Sequence, residues 1–212
     1  MTIFRLSSAA RAVIAAACVL GGTLQSAHAA PVTYDFEQFG DGDSVAAQIA
    51  GLTFINGTVL TAGISLNEFD FPPASGANVV FDDGGVMEIQ FSSPVFSVGG
   101  AFTYGTALSF NVYDASDFLL GTVISAASSN LALSGDPGSA VNEVLSFASA
   151  GGLISRIVIS GDAAGGSFVL DDLTVDLGGS TSVPEPATSA MVLGLLGIGV
   201  LPGGWMRRRR RD

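Results

Sequence analysis

Seventeen carboxylates and a single guanidinium, Arg156, stand between residues 31 and 182. Three kinds of chemistry suit such a set. Two carboxyls held ~5–9 Å apart across a cleft can hydrolyse a glycosidic bond. Grouped carboxylates can hold calcium, a hard ion that takes oxygen ligands. Spread through turns, they cap backbone N–H groups and keep the surface soluble. The missing residue types narrow the choice. The chain has one Cys and one His, Cys18 and His28, both near its amino terminus. A Ser-His-Asp triad is therefore excluded from the stretch 31–182, and so are zinc sites built on His or Cys. That stretch also lacks Trp, so a sugar cleft lined by stacking platforms would have only Tyr34, Tyr104, Tyr113 and exposed Phe to use. Its charge repels nucleic acid and anionic lipid, so no nucleic-acid partner is expected.

The acids with the most specific placement lie near the two ends of this stretch. On a period of two, Val169, Asp171, Leu173, Val175 and Leu177 share one strand face, which puts Asp171 on an apolar stripe. A buried carboxylate needs a cation or several donors. One reading is calcium, held by Glu37 and Asp171 with Asp172 as a further oxygen donor. A second is a cross-strand ion pair: if 161–166 turns a hairpin, Arg156 falls opposite Asp171. A third leaves Asp171 solvated at a strand end. Asp41-Gly42-Asp43 and Asp82-Asp83 lack the spacing of an EF-hand loop and read as turn formers. In Glu68-Phe69-Asp70-Phe71-Pro72-Pro73, Phe69 and Phe71 form a candidate ligand-binding patch, or fold back onto the core.

The elements that must position these residues read as strands. Short apolar segments rich in Phe, Val, Ile and Thr alternate with Gly, Asp, Asn and Ser breaks. Ten strands are expected, at 32–37, 51–56, 78–82, 86–91, 95–104, 107–114, 118–125, 143–148, 153–160 and 167–177. Asp82-Asp83-Gly84-Gly85 and Asp114-Ala115-Ser116-Asp117 read as hairpin turns, and 44–49 as a short helix. Ten closely spaced strands predict an all-β, two-sheet sandwich of jelly-roll type at 31–180. With ~150 residues and no disulfide, this unit is long enough to bury its own core.

The two ends have a different character. Arg5 and Arg11 precede an apolar run at 12–24, and Ala27-His28-Ala29 offers small residues for cleavage, so 1–29 reads as a cleaved secretory signal peptide. At the other end Val183, Pro184, Glu185 and Pro186 form an extended joint, because the prolines stop any strand or helix from running through. The uncharged stretch 187–206 has the ~20 residues that a transmembrane helix needs. Arg207, Arg208, Arg209, Arg210 and Arg211 then anchor it on the cytoplasmic side.

This order of Pro-Glu-Pro joint, span and arginine run resembles the PEP-CTERM sorting signal of bacterial exported proteins. The resemblance covers about 183–211, within a C-terminal segment 181–212, and implies recognition by a membrane-embedded exosortase. Pro202-Gly203-Gly204, late in the span, departs from a smooth helix. A second resemblance is to carbohydrate-binding-module jelly rolls. It is carried by Tyr34-Asp35-Phe36-Glu37 near the start, Phe110-Asn111-Val112-Tyr113-Asp114 and Leu119-Leu120-Gly121-Thr122 in the middle, and Phe168-Val169-Leu170-Asp171-Asp172-Leu173 near the end. In such modules terminal-strand acids often hold a structural calcium. Together the two resemblances imply a non-enzymatic protein. It would be exported, held in the inner membrane for a time, and then sorted to the cell surface or extracellular matrix with exopolysaccharide or biofilm. The alternatives are a carbohydrate-binding module, and a glycan hydrolase or lyase working with carboxylates alone.

Overall fold

The computed structural model describes residues 30–151 and 153–177. The expected signal peptide (1–29), the joint at Val183, Pro184, Glu185 and Pro186, the span and the arginines Arg207 to Arg211 lie outside the described residues. Eleven strands are described: β1 Val32–Tyr34, β2 Leu52–Ile55, β3 Gly57–Thr61, β4 Asn78–Asp82, β5 Met87–Val95, β6 Ser97–Tyr104, β7 Ser109–Tyr113, β8 Leu119–Ile124, β9 Glu143–Ala148, β10 Ile154–Ser160 and β11 Phe168–Asp176. They form an all-β, two-sheet sandwich, as the strand pattern predicts. One sheet runs β3-β4-β11-β6-β9, with β1 added along β11. The other runs β2-β5-β10-β7-β8.

Period-two burial explains most strands. In β2, Leu52 and Phe54 are buried while Thr53 and Ile55 are exposed. In β5, Met87, Ile89 and Phe91 face inward, with Glu88 and Gln90 on the other side. The main core lies between the sheets. Phe102 of β6 meets Phe110 of β7 edge-on, at 6.1 Å between ring centres, and tilts against Phe168 of β11. A second, smaller cluster of Leu66, Val79 and Val169 lies on the outer side of the first sheet, with Phe71 packed against it.

Four connections differ from the sequence reading, and each for a reason of sheet membership. β3 was not expected. Asn56 takes a positive φ of 60° and turns the chain from β2 in one sheet into β3 in the other. Gly57 permits this, because a Cβ there would stand 2.9 Å from Val45 and 3.1 Å from Val80. The Asp82-Gly85 turn is not a hairpin, since β4 and β5 lie in different sheets. The segment 161–166 likewise crosses between sheets, from β10 to β11. The expected helix at 44–49 is a series of turns. By contrast, Asp114–Asp117 does close a hairpin between β7 and β8, with Asp114 Oδ1 accepting the N–H groups of Ser116 and Phe118.

Asp82 holds the start of β11 in place. Its buried carboxylate accepts the N–H groups of Ser167 and Phe168 and the Ser167 hydroxyl, at 2.9–3.1 Å. Burial pushes its pKa up, against the pull of these donors. Asp82→Ala should strand several buried donors at once, each costing ~1–3 kcal/mol. We expect urea melts of the sandwich domain to show a loss of at least that size. A loss below ~1 kcal/mol would show that water replaces the carboxylate without penalty.

Candidate functional site

The three acids expected to bind calcium do converge, and what they converge on is a loop. Glu37 Oε1 accepts the N–H groups of Ala77 and Asn78, at 2.8 and 2.7 Å. Asp171 Oδ2 accepts those of Ala74 and Ser75, at 2.8 and 2.9 Å, and its Oδ1 accepts that of Asp172 at 2.7 Å. Asp172 Oδ1 accepts the Ser75 hydroxyl at 2.8 Å. Gly76, at the loop's centre, has a φ of +53°, and a Cβ there would lie 2.3 Å from the Glu37 carboxyl carbon. The Glu37 and Asp171 oxygens face backbone donors, and the Asp172 oxygen faces a side-chain hydroxyl. Among the described residues no three Asp, Glu, His or Cys side chains stand together as a metal site. The requirement that Asp171 be compensated is real, and N–H groups meet it.

The apolar stripe inferred for β11 is also broken. Phe168 and Leu170 belong to the main core, and so do Leu173 and Val175, two sets of opposite parity. A bulge between Asp171 and Thr174, with Asp172 at a φ of 47°, exchanges the two faces. Asp171 thus shares its side with Val169, beneath the 74–78 loop and away from the main core. Burial raises its carboxyl from the ordinary 3.8 to about 6, against the Ser75, Asp172 and Ala74 donors, and the charge of Asp172 adds to the rise.

Arg156 is not the partner of Asp171, because β10 and β11 lie in different sheets. It sits on the outer face of the five-stranded sheet, opposite Gln90 of β5 and Tyr113 of β7. Its guanidinium lies 2.9 Å from Asp117 and 3.5 Å from Glu88, and 4.2 Å above the centre of the Tyr113 ring. Gln90 donates to the other Glu88 oxygen at 2.6 Å. Beside them is an open depression of about 440 Å³, lined by Glu88, Gln90, Asp114, Asp117, Ser155 and Arg156 among others. Sequence reasoning missed this cluster. The available signal was the outward parity of Glu88 and Gln90 and of Asn111 and Tyr113, next to the one base of the domain.

A second groove, about 590 Å³, lies on the outer face of the six-stranded sheet. Its floor is made of small residues, among them Gly99, Ala101, Ser146 and Thr174, and Ala74 and Asp172 line it too. Phe69 and Phe71, expected as a pair, are split. Phe69 is 69 % exposed, whereas Phe71 is half-buried against the second apolar cluster.

Comparison with known proteins bears on the carboxy-terminal end. Residues 182–211 match the family model of the PEP-CTERM protein-sorting motif. This chain carries a PEP-CTERM sorting motif. The match takes in Val183, Pro184, Glu185 and Pro186 and the five arginines Arg207 to Arg211. PEP-CTERM motifs mark exported proteins that an exosortase processes at a membrane. No curated protein matches the chain. Among solved structures it is similar to the K2 cleaved adhesin domain of Lys-gingipain, with 13 % identity and a TM-score of 0.43 over 68 % of this chain and 97 % of that one. It is also similar to the K3 cleaved adhesin domain of Lys-gingipain from Porphyromonas gingivalis, with 13 % identity and a TM-score of 0.40 over 70 % of this chain and 98 % of that one. A third is a family 29 carbohydrate-binding module from Piromyces equi, with 11 % identity and a TM-score of 0.34 over 67 % of this chain and 89 % of that one.

The folded-state pKa of Asp171 lies above its unfolded value, so the unfolded chain ionises first. Stability should therefore fall as pH rises from about 4 to about 6 and level off above. The Asp171 part of the fall should be at most ~3 kcal/mol and missing in Asp171→Asn, which keeps only the part due to Asp82, as pH-dependent melts would show. Melts in chelator and in calcium should coincide, and a rise with calcium would return Glu37, Asp171 and Asp172 to a metal. Phe71→Ser should cost ~2 kcal/mol or more, and Phe69→Ser almost nothing; equal losses would place both side chains in the core.

Proposed function

We propose that this protein is a non-catalytic component of the cell surface or extracellular matrix, associated with exopolysaccharide. In this reading residues 1–29 direct export and are removed. The span at 187–206 holds the chain in the inner membrane, with Arg207 to Arg211 in the cytoplasm. Exosortase then acts at the Pro-Glu-Pro joint and frees the ectodomain, a sandwich we take as jelly-roll in type. The observation that carries the reading is the PEP-CTERM match over 182–211.

The acids of the ectodomain support a non-catalytic role. A glycosidase needs a carboxyl with a raised pKa that faces its substrate. Asp82 and Asp171, the carboxyls that burial raises, are 0 and 1 % exposed and accept several hydrogen bonds from the protein itself. Glu88 and Asp117, which face solvent, are tied to Arg156. Carbohydrate binding without hydrolysis is the reading favoured by the outer face around Arg156.

Replacing Pro184, Glu185 and Pro186 together by Ala should leave a full-length protein in the inner membrane. The wild type should appear outside it at a lower mass, and only in cells with an active exosortase. Release of the triple variant at the wild-type mass would refute the sorting mechanism. A wild type missing from the matrix fraction would refute the polysaccharide association.

A further inference from the structure

We propose that the outer face of the five-stranded sheet, centred on Arg156, binds a neutral, hydroxyl-rich glycan chain in preference to an acidic or cationic one. The proposal rests on the polysaccharide association above and adds the site and the class of sugar. Strand register places Thr53, Gln90, Arg156 and Tyr113 in one row across β2, β5, β10 and β7. At the ~4.8 Å spacing of strands this row is roughly 14 Å long, which suits an extended chain better than one sugar ring. The next row brings Glu88, Val158, Asn111 and Thr122 alongside it.

The groups in these rows have the chemistry of a hydroxyl reader. Each sugar hydroxyl both donates and accepts. Arg156 and Gln90 supply donors, and Glu88, Asp114 and Asp117 supply acceptors around the same depression. Ser155 Oγ, in the lining of that depression, is buried and makes no hydrogen bond. Such an orphaned hydroxyl costs free energy unless something meets it. Arg156 is already fixed by two carboxylates and an aromatic ring, so little of its rotamer freedom remains to be lost on binding. Its planar, weakly hydrated guanidinium can also lie against the apolar face of a sugar.

Charge selects among glycans. Three carboxylates surround one guanidinium here, and the rest of the ectodomain is acidic, so a uronic-acid polymer is repelled. A cationic polymer is drawn to the acidic domain whatever the site, so its binding is lost in high salt, and at the site itself Glu88 and Asp117 are already paired with Arg156. A neutral chain is subject to neither effect.

The test uses the ectodomain, which contains the whole described core, in affinity gels cast with dextran, mannan, galactan, polygalacturonate or chitosan. At least one neutral polymer should retard it, and polygalacturonate should not. Arg156→Gln and Tyr113→Ala should each weaken retardation at least tenfold while keeping the wild-type melting temperature within a few degrees. Retardation should persist in high salt, since no net charge drives it. Binding to polygalacturonate or chitosan alone would overturn the choice of neutral sugar. Neutral-glycan binding unchanged in both variants would overturn the site and leave the polysaccharide association standing. If either variant unfolds, Gln90→Ala and Asn111→Ala, exposed and half-buried on the same rows, carry the same expectation of weakened binding. A wild type that no polymer retards, yet is retained in the matrix fraction of cells, would overturn this site without touching the sorting reading.

Discussion

A carboxylate taken out of water has to be met by donors or by a cation, and the placement of β11 depends on two that are. Asp82, at the end of β4, takes the N–H groups of Ser167 and Phe168, where β11 begins. Asp171, in the middle of β11, takes N–H groups from the loop that covers it. Between these two points β4 pairs with Val169 and Leu170. Beyond them β1 takes over the same edge, pairing with Leu173 to Val175. The bulge at Asp171 and Asp172 lies where the partner changes, and it lets both halves of the strand give their large side chains to one core. The carboxylate, the bulge and the exchange of partners form one device. The 74–78 loop exists in its observed shape because Glu37, Asp171 and Asp172 hold it from below.

The same logic accounts for much of the acid content. Asp41 accepts the Thr61 N–H, Asp43 that of Gly40, Asp136 those of Ser128 and Ser129, and Asp162 that of Ala164. A domain of long connections, with no helix among the described residues, has many backbone N–H groups outside the strand ladders, and short acidic side chains satisfy them. The acids therefore serve the fold first, and the negative field around the sandwich follows from that use. Against this background one base stands out. Arg156 spends its charge on Glu88 and Asp117 and its flat face on Tyr113, which turns an otherwise plain sheet surface into a mixed-polarity patch.

Strand existence was legible because period-two burial follows from side-chain alternation, a local property. Asn78–Asp82 and Glu143–Ala148 have the bounds that the pattern implies. Which strands share a sheet was not legible. A Gly- or Asp-rich break looks the same whether the chain folds back beside itself, as at Asp114–Asp117, or crosses to the other layer, as at Asp82–Gly85. The local residues supply the turn, and only the packing of both layers decides where it leads. That ambiguity produced the expected Arg156–Asp171 pair, and sheet membership removed it.

By itself the sequence determined the all-β class, the absence of imidazole and thiol chemistry from 31–182, and the sorting motif at 182–211. Each of these is a matter of composition or of contiguous residues, which need no fold to be recognised. The tertiary structure decided what compensates Asp171, because the Ala74 and Ser75 donors lie almost a hundred residues away in the chain. It decided the fate of the two phenylalanines, one exposed and one packed, since two residues of the same type in one short segment have no local reason to differ. It also assembled the Arg156 patch from β5, β7, β10 and the β7–β8 turn. Contacts of that range depend on register between strands, and register is set by the whole core and not by any one segment.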